Sequence, residues 1–71
     1  MNDFYFVYGL ERGLENVSRL CRHIDNTMEQ WSFEDRKWYE APYLYEVFIG
    51  EDAIYDEITE EEANKIIEYS K

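Results

Sequence analysis

One cysteine, one proline, three glycines and one histidine are all that this 71-residue chain holds of the residues that usually mark special chemistry or special backbone. Each scarcity closes a class of function. Cys21 alone makes no internal disulfide, and beside the Cys21/His23 pair no further Cys or His exists to complete a zinc site. Gly9, Gly13 and Gly50 are too scattered to form a phosphate-cradling loop. A Ser–His–Asp set could be composed from Ser18 or Ser32 with His23, but almost any chain permits that much. No apolar run approaches the roughly eighteen residues of a membrane span, and no charged-then-apolar leader opens the chain. The sequence therefore predicts a cytoplasmic protein with no membrane association.

Basic residues are also few. Seven Lys and Arg face seventeen Asp and Glu, for a net charge of −10. Residues 1–37 contribute −2 of this and residues 38–71 contribute −8. Phosphate binding works by cations displacing counterions, so direct nucleic-acid binding is excluded first. The acids do not read as a calcium loop either: Ile54 and Ile58 interrupt the carboxylates of "EDAIYDEITEEE", and Gly50 precedes them instead of sitting at their centre. No metal, cofactor or catalytic residue is expected, and a chain this short has little room for the cleft that paired carboxylates need in glycoside hydrolysis.

What the chain has in excess is rings: two Trp, seven Tyr and four Phe. A domain of this size buries only about 60% of its unfolded surface, so its core cannot enclose them all. Several should lie partly exposed, either edging the core or serving an interface.

The elements follow from patterning. "FYFVY" (4–8) is aromatic and β-branched, stops at Gly9, and has no polar face, which favours a strand covered on both sides. A helix beginning near Asn2 or Asp3 is the competing reading. Leu10, Leu14, Val17, Cys21, Ile24, Met28 and Trp31 recur at spacings of 4 and 3, which predicts one face of a long helix over 14–31. On that helix Cys21 is a small core residue and His23 lies on the polar, solvated side. The seam could also pair two helices, but packing on the protein's own sheet is preferred.

"SFEDRK" (32–37) reads as a connection. "YLYEVFI" (43–49) reads as a strand after Pro42, and "AIYDE" (53–57) as its hairpin partner across a turn at 50–52. Thr59 with Glu62 three residues on is a capping box, and it opens a short C-terminal helix whose buried side is Ala63, Ile66 and Ile67, with Tyr69 a further candidate. The predicted fold is a single α+β domain spanning 1–71. It has a three- to four-stranded, mostly antiparallel sheet, one long helix and one short C-terminal helix, in the order β-α-β-β-β-α.

Two functional expectations follow. The first is a small acidic protein-binding module with a basic partner, such as a nucleic-acid-handling enzyme whose phosphate groove accepts carboxylates. Phage and mobile-element inhibitors of host defence proteins share this size and charge, though no sequence match supports the analogy. Glu60, Glu61 and Glu62 are explained locally, by capping and the helix dipole. The expected partner-binding residues are therefore Tyr45, Glu46, Glu51, Asp52, Tyr55, Asp56 and Glu57. The second expectation is a non-enzymatic homodimer formed through the helical seam and the surplus rings.

Overall fold

The computed structural model describes residues 3–44 and 55–70. They form one antiparallel sheet of five strands: β1 (Phe4–Tyr8), β2 (Arg19–Ile24), β3 (Thr27–Ser32), β4 (Lys37–Glu40) and β5 (Tyr55–Ile58). An α-helix, α1 (Glu60–Tyr69), follows β5. The strand order is β4-β3-β2-β1-β5, so the first four strands form a meander and β5 returns to pair with β1 on the far side. The class is α+β, as the sequence indicates.

The long helix over 14–31 does not form. Two short 3-10 turns, Leu10–Arg12 and Leu14–Asn16, lead instead into a tight hairpin of β2 and β3. Its two-residue loop is Asp25 and Asn26, at φ 50° and 63°. Two successive left-handed residues make the turn whose twist matches that of paired strands, and no helix can pass through them. Much of the segment disfavours helix in any case: Asn16, Val17, Ser18, His23, Ile24, Asp25, Asn26 and Thr27 are all poor helix formers. The seven-residue seam is divided by the pleat. Cys21 and Met28 pack on one side of the sheet, while Leu10, Leu14, Val17 and Trp31 pack on the other.

Both sides are covered, which explains the absence of a polar alternation. On the first, Val7, Leu20, Trp31 and Ile58 meet Ala63 and Ile66 of α1. On the second, Phe6, Cys21 and Met28 lie under Ala41 and Leu44, from the start of the connection between β4 and β5. β1 is central and buries Phe6 on one side and Val7 on the other, so the reading of residues 4–8 as a doubly covered strand holds. Each fully buried large apolar side chain contributes about 1.5–3 kcal/mol. Gly9 then ends β1 at φ 82°, and a Cβ there would come within 3.2 Å of the Ser18 amide nitrogen.

Further along, β4 forms within the residues just before Pro42. Tyr43 and Leu44, predicted to open a strand, do not: Tyr43 lies in a turn and Leu44 is helical, its N–H donating to the Ala41 carbonyl at 3.0 Å. The rest of the predicted 43–49 strand and the 50–52 turn lie outside the described residues. Of the predicted strand 53–57, the described residues form β5 at Tyr55–Ile58, and it pairs with β1. The capping box is present in full: the Glu62 N–H donates to Thr59 Oγ1 at 3.1 Å, and the Thr59 N–H donates to Glu62 Oε1 at 3.0 Å. Helix α1 has no basic residue in its last turn. Arg36, from the β3–β4 loop, supplies the cation there, donating to the Ile67 carbonyl at 3.2 Å and to Ser70 Oγ at 3.1 Å.

Candidate functional site

The sheet has two edges among the described residues, and they differ in chemistry. The β5 edge carries the acids. Asp56 and Glu57 are both exposed, but neighbours on a strand point to opposite sides of the sheet. Asp56 sits in register with Val7 on the helix side, and Glu57 with Phe6 on the other. They do not form one patch. Tyr55 is half-buried, with its ring 5.2 Å from Phe6 and 6.5 Å from Tyr8, so it belongs largely to the core wall. Glu57 and Glu60 line an open cleft of about 390 Å³ with Asp3 and Phe4. Glu60 also accepts from the Tyr5 hydroxyl at 3.3 Å. Tyr45, Glu46, Glu51 and Asp52 lie outside the described residues.

The β4 edge carries rings. Phe33, Tyr39 and Tyr43 are three of the four large apolar side chains that the described residues leave exposed. All three line one open groove of about 420 Å³, together with Gln30, Glu34 and Glu40. Two of the rings are fixed in place: the Tyr39 hydroxyl donates to Asp35 Oδ2 at 2.7 Å, and the Tyr43 hydroxyl donates to Gln30 Oε1 at 2.6 Å. Lys37 reaches over the Tyr39 ring, 5.0 Å from its centroid. Sequence reasoning anticipated exposed rings but not these three. The missed signal is the strand "KWYE" beside a four-residue loop, which puts Phe33 and Tyr39 at one end of a hairpin.

Between the edges lie Cys21, Tyr8 and His23. Cys21 is fully buried, and burial pushes its thiol from 9.0 up to about 12, with Arg19 opposing weakly. It stays protonated and poorly nucleophilic. Burial, with a contribution from Cys21, also raises the Tyr8 phenol. His23 is not solvated as expected from a polar helical face: it is 2% exposed on β2, and its ring stacks on Phe4 at 5.5 Å. The reason is the change of element, since a strand inside a doubly covered sheet has no polar side.

Among the described residues, no three of His, Cys, Asp or Glu come together as a metal-binding group. One ion pair forms among them, Arg22 with Glu29 at 2.6 Å, and the Arg22 guanidinium also stacks 4.1 Å from the centroid of Trp38. No helix of the described residues is long and apolar enough to cross a membrane. Comparison with protein-family models, with characterised proteins and with solved structures finds no match.

Proposed function

We propose that this protein is a binding module for a basic protein partner, with no chemistry of its own. The observation that carries the reading is uncompensated acidity. The described surface exposes carboxylates from Asp3 to Glu68, yet a single ion pair forms among them. Carboxylates without an internal cation stay available to an external one, and they draw a cationic protein in by long-range attraction. A nucleic-acid-handling protein is the natural partner class, because its phosphate-binding groove is complementary to fixed carboxylates. In that setting the module acts as a competitor of nucleic acid.

The test is a titration of the protein against a basic nuclease at increasing salt, with duplex DNA as competitor. Affinity should fall steeply with ionic strength, and the DNA should displace the protein. Salt-insensitive binding, or binding that leaves DNA association untouched, would remove the electrostatic argument.

A further inference from the structure

We infer that the outer edge of β4 is a docking site for an extended basic segment of the partner, which adds to the sheet as a sixth strand. This rests on the basic-partner reading above and assigns it a place. The Ala41 N–H donates to the Met28 carbonyl at 2.8 Å, in register with the β3–β4 ladder. In antiparallel pairs the bonding residues alternate, so Tyr39 and Lys37 bond toward β3 while the peptide groups of Trp38 and Glu40 point outward. Among the described residues no strand lies beyond β4 to receive them. A short strand with outward N–H and C=O groups is a template for strand addition.

Side chains on either side of that edge define the occupant. On the side covered by Ala41 and Leu44, Phe33, Tyr39 and Tyr43 form a groove whose tyrosines are already pinned by hydrogen bonds, so little ordering is needed to present them. On the helix side, Glu40 stands directly opposite Glu29. Like charges in register repel; on that side Arg22 is already committed to Glu29 at 2.7 Å, while Lys37, on the other side of β4, lies over the Tyr39 ring. A cation arriving beside Glu40 relieves that repulsion. Glu34 adds a carboxylate to the groove, whose lining residues include no Lys or Arg. The complementary segment therefore alternates cationic side chains on one side with apolar ones on the other.

The test uses a seven-residue peptide alternating lysine with valine, blocked at both ends, titrated into the 71-residue chain and followed by amide NMR. Saturable binding is expected, with shift changes concentrated at 33–43 and slowed hydrogen exchange at the Trp38 and Glu40 amides. Glu40→Pro removes an outward N–H without touching the β3 ladder. Because one such bond is worth about 1 kcal/mol, it should weaken binding about tenfold once the charge is also lost. If that variant fails to fold, N-methylation of alternate peptide residues gives the same comparison from the ligand side.

A peptide with glutamate in place of lysine should not bind; equal binding of the two overturns the proposal, as does no saturable binding of the lysine peptide. Shift changes centred on Asp56 and Glu57 overturn this site while leaving the basic-partner reading intact. Dimerisation in sedimentation that disappears in Glu40→Pro assigns the edge to a second copy of the chain, and also overturns it.

Discussion

The two edges of one sheet are held in place by different means. β5 is anchored by Ile58, which packs with Val7, Ala63 and Ile66, and it runs directly into a helix opened by a complete capping box. Its outward character is purely acidic. β4 is anchored by Trp38, edge-on to Trp31 at 5.4 Å and beneath Arg22. Its support is less economical, since the Trp31 indole N–H is buried with no hydrogen-bond partner among the described residues. An orphaned donor of that kind costs about 1–3 kcal/mol. The comparison teaches that β5 is the structural edge, guarded by charge against unwanted pairing, and β4 the adaptable one.

The strongest way to break this comparison is to remove each anchor. Ile58→Ala should cost about 3 kcal/mol, because a buried aliphatic leaves a cavity between sheet and helix. Trp38→Ala removes a half-exposed ring and should cost about half as much, despite its greater size. Urea midpoints at constant m-value would measure both. Equal losses would mean that β4 is as structural as β5.

Cys21, between the edges, provides a reference that belongs to neither. Its thiol is raised from 9.0 to about 12 in the fold, so stability is fully present below pH 9 and declines as pH rises toward 12, by about 1.4 kcal/mol per pH unit in that window. Subtracting the same curve for Cys21→Ala isolates the effect. A wild-type curve parallel to that of the variant between pH 9 and 10.5 would show that the thiol is not held buried.

Smaller effects separate the two ends of α1. Thr59→Ala removes the cap beside β5 and should cost about 1 kcal/mol. Arg36→Ala removes the guanidinium that reaches the Ile67 carbonyl from the β3–β4 loop, and should cost about 0.3–1 kcal/mol, shrinking in high salt. A salt-independent loss at Arg36 would point to its packing 5.9 Å from the centroid of the Trp31 ring instead of the helix dipole.

These contrasts also show what the sequence made legible. Local rules were readable: the capping box, the start of α1, the doubly covered β1 and the burial of Cys21 all depend on residues a few positions apart. The β2–β3 hairpin was hidden because the 4-and-3 spacing from Leu10 to Trp31 mimics a helix. In a sheet covered on both sides, apolar residues fall at every parity, and any spacing can arise. Leu20 and His23, fully buried yet off the supposed seam, carry the contrary evidence. So does Asp25-Asn26 between the β-branched pair Ile24 and Thr27, which is turn grammar with Asn where Gly is commonest. Of the expected site, the acids at 56 and 57 are exposed as anticipated. What no local rule could show is that strand alternation separates them, or that a sheet edge formed by residues 37–40 gathers Phe33, Tyr39 and Tyr43.

The smallest stability effects carry the sharpest functional contrast. Neutralising one exposed acid, as in Asp56→Asn, Glu57→Gln or Glu40→Gln, should change stability by less than about 0.5 kcal/mol. The sign should be stabilising at low salt, since each change reduces the repulsion within a chain of charge −10. Binding kinetics should nonetheless divide the three. A charge at a distance from the contact mainly steers encounter, so Asp56→Asn and Glu57→Gln should lower the association rate and flatten its salt dependence, leaving dissociation unchanged. Glu40 stands in the proposed contact, so its neutralisation should speed dissociation. Stopped-flow measurement with the lysine–valine peptide distinguishes these outcomes. Faster dissociation from the β5 variants, with Glu40→Gln unaffected, would exchange the roles of the two edges: the acidic edge would be the contact and the aromatic one a bystander.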